Sequence, residues 1–394
     1  MVISALFLQE LQHFSTMMIA ITKELNQGET RVAATPATVK EYIKAGLTVK
    51  LESGAGDDAF FPNADYKDAG AEIVSDARSI LSNADIILKV ASPALSEIEL
   101  MKKEAIMVSF FQTTIEMEKV KALAERSITG FSMHLIPRTT LAQKMDALSS
   151  QANIAGYKAV LMGAAHIGVY MPLLMTAAGT IRPARVLVLG AGVAGLQAIA
   201  TAKRLGAQVE TFDVRPEVKE QVESLGAKFI EVGSGGDEGV GEGGYAKDTS
   251  EEYKRKQQTL IREHIALADM VVTTALIPGK PAPILISKDV VMNMKPGSVI
   301  MDLAAENGGN CELTIKDQII EHEQVRIDGT SNIPATMPVH ASELYAKNIA
   351  ALITYMIKDG ELRIDQDDEI IAGSMFTRGG KITHEPTKNA IEDT

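Results

Sequence analysis

One cysteine, Cys311, in 394 residues leaves no intramolecular disulfide and no thiolate metal cluster, a usage that fits a reducing cytoplasm. Positive charge is scarce. Lys and Arg number 39 against 51 Asp and Glu, a formal charge of −12 that argues against nucleic acid and against docking on anionic lipid. Tryptophan is absent, and the seven histidines (13, 134, 166, 264, 322, 340, 384) are scattered with no H-x-x-H, so no metal site is legible. A G-x-S-x-G elbow and a Walker P-loop are missing too. What remains is an ordinary globular composition, 46% hydrophobic and 23% charged, long enough for two domains.

Two apolar segments need separate treatment. The start, MVISALFLQELQHFSTM, has no Lys or Arg ahead of its apolar run and is interrupted by Glu10, so it fails as a secretory signal. Residues 1–16 read as an upstream-start extension ahead of the first strand. The uncharged run Ala159–Ile181 is long enough to cross a bilayer, but it holds His166, Pro172 and three glycines. A buried helix followed by a loop is the expectation there.

Short apolar runs alternate with helical patterns, the signature of βαβ units and a mainly parallel sheet. Ile19–Ile21, 49–53, 72–74, 85–90, 105–111 and 126–133 read as strands, with a helix opening at Thr35-Pro36. Residues 139–163 form one long helical pattern, a candidate bridge between domains. A second βαβ series runs from Ala184 to about residue 333, followed by a helix to about Ile357 and a tail with strand-like pieces (ELRI, EIIAG, KITHE). The expected architecture is α/β: two Rossmann-like, doubly wound parallel-sheet domains with a cleft between them, linked by a long helix. Residues 1–148 plus 336–394 form the first domain, discontinuous around an inserted second domain of residues 149–335.

The second series opens with RVLVLGAGVAGLQAIATAKRLGAQVETFD. A strand runs into G-x-G-x-x-G: Gly190 permits the tight turn, Gly192 lets the backbone approach a pyrophosphate, and Gly195 lets helix and strand pack closely. The helix N-terminus offers unpaired N–H groups and its positive dipole end to the phosphates. Asp213 closes the next strand, placed to accept from the ribose hydroxyls and to repel a 2′-phosphate, which selects NAD over NADP. Arg215 is a counter-signal, read as packing along the adenine or ribose edge. Residues 233–244, GSGGDEGVGEGG, are so rich in glycine that they read as a mobile lid, with Tyr245 closing over bound nucleotide.

These residues, with 137–160, 175–207, 213–229, GGYAKD (243–248), TTALIPGKPAP (273–283) and MKPGSVIMDLAAENGGNCE (294–312), resemble the NAD(H)-binding component of the proton-translocating NAD(P) transhydrogenases, from Met18 onward. The resemblance implies hydride transfer between NAD(H) here and NADP(H) on a partner, coupled to proton movement through a membrane-spanning component. It implies a homodimer, no metal, no nucleic acid, and a cytoplasmic location peripheral to the bacterial inner membrane. Since the chain ends without membrane helices, it reads as the separate NAD(H) subunit of a split complex. By the same resemblance Arg138, Gln143, Asp146 and Ser149 serve the nicotinamide side, with Gln143 and Asp146 sharing a face of the long helix. Cofactor contacts map onto Gly190, Ala191, Gly192, Val193, Ala194, Gly195, Asp213, Val214, Arg215, Gly244, Gln257 and Leu276, with Tyr245 on the mobile loop.

A more distant similarity runs to alanine dehydrogenase, through R-V-A-x-T-P at Arg31–Pro36. An amino-acid dehydrogenase releases a proton as well as a hydride and needs a base at the carbon. The positions where that enzyme carries Lys and His correspond here to Ala91 and Gln112, and neither is a base. Hydride passing between two nicotinamide rings needs only their juxtaposition. Arg31 reads as paired within the first domain. A non-catalytic NAD-sensing module is the third alternative.

Overall fold

A computed structural model describes residues 17–232, 251–277, 281–358 and 361–393, the side chains of 251–254 and 358 excepted. The 1–16 extension and the glycine-rich lid with Gly244 and Tyr245 lie outside them. The chain forms two compact units, one from the N-terminal part through Gln151 together with Ala335 onward, the other Ala152–Pro334.

In the first unit β1 (Met18–Ile21), β2 (Thr48–Glu52), β3 (Glu72–Val74), β4 (Ile86–Leu88), β5 (Ile106–Ser109) and β6 (Thr129–Ser132) are all parallel, in the order β3-β2-β1-β4-β5-β6. That is the doubly wound order, which reverses between β1 and β4. Both faces are covered, so side chains alternating along one strand enter different cores. Ile19 and Ile21 join one apolar cluster, Met18 and Ala20 the other. The helix Pro36–Lys44 opens where the sequence signalled it, with Thr35 as N-cap in a reciprocal capping box and proline in its first turn.

The second unit begins with the antiparallel hairpin β7 (Leu174–Thr176) and β8 (Gly179–Ile181). Its sheet contains β9 (Arg185–Leu189), β10 (Gln208–Phe212), β11 (Lys228–Phe229), β12 (Met270–Thr273), β13 (Val299–Asp302), β14 (Ile319–His322) and β15 (Val325–Asp328). The order is β11-β10-β9-β12-β13-β15-β14, parallel except for β14 at the edge. The order reverses between β9 and β12, and this switch point is where a doubly wound sheet binds its ligand. Val186 and Val188 face one core, Leu187 and Leu189 the other.

The tail returns to the first unit. After the helix Pro338–Met356 come a small hairpin, β16 (Ile357–Lys358) with β17 (Glu361–Leu362), then β18 (Met375–Arg378) and β19 (Lys381–Ile382). These last two extend the first sheet antiparallel beyond β6.

Three readings are corrected. EIIAG is helical, within Glu369–Ser374, because the Asp368 carboxylate caps the N–H groups of Ile370 and Ile371. The apolar run Ala159–Ile181 is helical only to Ala164 and continues into the exposed hairpin, where Met175 is 72% and Leu173 54% accessible. Among the described residues no helix is long and apolar enough to cross a membrane. The long helix spans Ala147–Ala164 and does not start at 139. Asp146 ends a 3₁₀ turn, Gln143–Met145, and its carboxylate accepts from the Ser149 N–H (2.9 Å) and hydroxyl (2.5 Å). That N-cap fixes the start of the helix. Gln143 and Asp146 therefore do not share a helix face.

Candidate nucleotide-binding site

Three adjacent strands of the second unit end in predicted site residues: β9 in the Gly190–Gly195 turn, β10 in Asp213, and β12 in the stretch holding Leu276. Gly190 has φ of +105°, and a Cβ there would lie 2.5 Å from the Thr274 hydroxyl. A Cβ on Gly195 would overlap the Gly190 carbonyl oxygen. Both glycines are thus required by the turn and by its packing on the helix Val193–Arg204. Gly192 differs, because a Cβ there would meet no protein atom within 4 Å. Its missing side chain answers to close approach from outside the protein. No side chain caps this helix, so its first N–H groups remain available to an anion, and Lys203 and Arg204 complement the other end of its dipole.

Asp213 is tied into the turn. Its side chain is 5% exposed, and Oδ2 accepts from the Ala191 N–H at 2.6 Å. Arg215 forks onto it, with Nε 3.0 Å from Oδ1 and Nη2 3.0 Å from Oδ2. Burial acts to raise the Asp213 pKa, but the Arg215 fork and the Ala191 and Arg215 N–H groups outweigh it and hold the carboxyl below its usual range. Arg215 is thus an ion-pair partner here, not laid out for an adenine edge. Val193 (42% exposed), Val214 (73%) and Leu276 (52%) give this edge an apolar lining. Gln257 is half-buried on the helix Glu251–Leu267.

The other predicted residues belong to the first unit. Arg138 and Gln143 are exposed, and Asp146 and Ser149 are half-buried and bonded to each other. The buried Asn348 holds this turn from behind, its amide donating to the Lys144 carbonyl at 2.8 Å. Sequence reading missed Asn348, since an amide within an apolar helical pattern carries no motif.

Near Ala91 and Gln112 the charged groups are already engaged. Arg31 is paired, with Glu29 on Nε and Nη2 (2.8 and 2.7 Å) and Gln151 on Nη1 (2.8 Å). The buried Lys89 lies 2.9 Å from Glu97. Glu24 accepts from the Val90 and Ala91 N–H groups, and His134 Nδ1 accepts from Phe111 N–H.

Two of these groups titrate in opposing senses. Burial pushes Glu24 up to about 7 from 4.5 against the opposing Lys89 charge, and burial pushes His134 down to about 4 from 6.5. Between pH 4.5 and 7 the folded chain holds a Glu24 proton that the unfolded chain has released, so this contribution falls as pH rises. Between pH 6.5 and 4 the unfolded chain takes up a His134 proton that the folded chain refuses, so stability falls as pH drops. A tenfold difference in proton affinity between folded and unfolded chain is worth about 1.4 kcal/mol. In urea melts Glu24→Gln is expected to lose stability toward acid across roughly pH 6.5 to 4.5, and His134→Asn to lose it toward neutral. Parallel profiles for the two variants would refute the assignment.

Among the described residues no group of three or more His, Cys, Asp or Glu is placed to hold a metal. The family profile "Alanine dehydrogenase/PNT, C-terminal domain" matches residues 159–385, and its N-terminal counterpart matches residues 20–155. The chain is 46% identical over 379 residues to an NAD(P) transhydrogenase alpha subunit of Rhodospirillum rubrum, covering 93% of this chain and 98% of the relative. It superposes on the transhydrogenase of Sinorhizobium meliloti with a TM-score of 0.85 at 43% identity, over 93% of this chain and 99% of the other. An L-alanine dehydrogenase superposes with a TM-score of 0.81 at 26% identity, over 96% and 99% of the two chains.

Proposed function

This chain belongs to the alanine dehydrogenase/PNT family, and from that premise we propose that it is the NAD(H)-binding subunit of a proton-translocating transhydrogenase. The observation that carries the choice within the family is a dinucleotide cradle without an acid–base pair: the Gly190–Gly195 turn and Asp213 are in register, while Ala91 and Gln112 carry no base. The residues fit the group. The turn needs glycine, Gly192 leaves room for phosphate, and the helix end offers N–H donors. When bound, NAD(H) supplies the hydride chemistry, in exchange with NADP(H) on a partner subunit.

The residues of this chain bind and orient. The backbone at Gly192, Val193, Ala194 and Gly195 receives the pyrophosphate. Asp213 receives the ribose, and the half-exposed Arg215 side chain gives up part of its fork at little cost. Val193, Val214 and Leu276 cover apolar edges, while Arg138, Gln143, Asp146 and Ser149 serve the nicotinamide end. Gly244 and Tyr245 close the site and Gln257 backs it. No residue moves a proton at the reacting carbons, because ring-to-ring hydride transfer releases none.

Proton translocation then belongs to a membrane-spanning partner, with this subunit peripheral on its cytoplasmic side. A homodimer is part of the reading, and the β7–β8 hairpin, with Tyr170, Leu173, Met175 and Ile181 all exposed, offers it an apolar arm. A monomeric mass by light scattering at micromolar concentration would remove that element.

A mixing experiment tests the function. Chain plus the NADP(H)-binding component is expected to transfer hydride, and neither is expected to do so alone. Gln143→Asn is expected to slow transfer about tenfold with a smaller change in NADH affinity, the mark of an orienting group. Turnover of alanine or pyruvate by the chain alone would favour the dehydrogenase reading.

A further inference from the structure

Asn310 lies at 0% exposure in the turn after β13, and its side chain grips another segment's backbone. Oδ1 accepts from the Ala275 N–H at 2.9 Å, while Nδ2 donates to the carbonyls of Ala275 and Pro283, both at 2.8 Å. An amide that pairs with both polar groups of one residue imitates a strand neighbour, and it does so where the β12 ladder has ended.

Asn310 is itself clamped. Asp302, 1% exposed at the end of β13, accepts five hydrogen bonds. Oδ1 takes the Thr273 hydroxyl (2.8 Å) and the Ala304 N–H (3.0 Å). Oδ2 takes the Asn310 N–H (2.8 Å), the Cys311 N–H (3.0 Å) and the Thr314 hydroxyl (2.6 Å). Gly309 makes the turn possible, with φ of +83° and a Cβ position 2.8 Å from Asp302 Oδ2. On the other side of Ala275, the Thr274 hydroxyl donates to the Gly190 carbonyl at 3.1 Å. The stretch Thr274–Leu276 is thus held to the glycine turn by one residue and to the Asp302 cluster by the next.

We propose that Asn310, clamped by Asp302, is a positioning residue that holds Leu276 in place against the dinucleotide. The inference rests on the proposed site and extends it to two residues that do not touch the nucleotide. Without the clamp, the exposed Leu276 stretch would have to be ordered at the moment of binding, and that ordering entropy would come out of the affinity. A merely structural role predicts lower stability with unchanged binding by the folded fraction.

The test is a double-mutant cycle on NADH binding, read by nicotinamide fluorescence, with a thermal melt of each variant. Asn310→Ala is expected to raise the NADH Kd about tenfold, the scale of a broken buried hydrogen-bond set. The isosteric Asn310→Asp, which turns both donors into acceptors facing carbonyls, is expected to do the same and serves if the alanine variant does not fold. Leu276→Ala is expected to weaken binding, and combined with either Asn310 variant to add nothing further. If Leu276→Ala weakens binding while the Asn310 variants bind normally, or if the effects multiply, the positioning role is overturned and the site stands. If Leu276→Ala binds as wild type, the site reading at this segment falls and the inference falls with it.

Discussion

Gly195→Ala is expected to abolish NADH binding at concentrations that saturate the wild type, and to cost about 3 kcal/mol of stability in the unit that carries it. The added methyl would overlap the Gly190 carbonyl oxygen, a backbone atom that cannot rotate away as a side chain would. Relief requires the turn and the helix Val193–Arg204 to separate. The N–H groups at the head of that helix then lose their aim at the pyrophosphate. A hydrogen bond to a charged group contributes about 1.5–3 kcal/mol, so losing two lowers affinity roughly a hundredfold or more. Isothermal titration with NADH, beside a urea melt, separates the two effects. Gly192→Ala is the contrast, since its methyl meets no protein atom: stability should hold within about 1 kcal/mol while binding weakens. A Gly195→Ala chain with wild-type NADH affinity would refute the placement of the pyrophosphate.

Asp213→Ala is expected to cut NADH affinity about a hundredfold and to erase most of the preference for NADH over NADPH. The carboxylate has two jobs. It anchors the turn through the Ala191 N–H, and it presents acceptors to the ribose hydroxyls. Its removal also ends the repulsion of a 2′-phosphate and releases the Arg215 guanidinium, now forked onto Asp213, to pair with that phosphate. NADPH binding should therefore hold or improve while NADH binding collapses. Fluorescence titrations with both coenzymes give the ratio directly, and an unchanged ratio would show that Asp213 does not read the ribose.

Residues whose role depends on sequence neighbours were legible before any coordinates. The glycine turn, Asp213 and the strands on either side belong to one local βαβ unit, where backbone geometry and hydrophobic period dictate residue types at fixed spacing. Arg215 was legible as present but not as engaged, because a guanidinium fork onto Asp213 is a choice among rotamers. The tail shows the same limit. EIIAG satisfies a strand pattern, and one carboxylate, Asp368, tips it into a helix by capping two N–H groups. Likewise 139–163 reads as unbroken helix until Asp146 and Ser149 bond to each other and set the first turn at Ala147.

The amino-acid sequence by itself determined the fold class, the dinucleotide cradle, its acidic ribose residue and the want of a base at Ala91 and Gln112. Each is a matter of residue type at short spacing. Only the tertiary structure decided which distant groups meet. It seats Asn310 on Ala275, 35 residues away, and Asn348 on Lys144, 204 residues away. It also buries Arg31 against Glu29 and Gln151. A buried amide or guanidinium must find partners wherever the chain brings them, and no local pattern records where that will be.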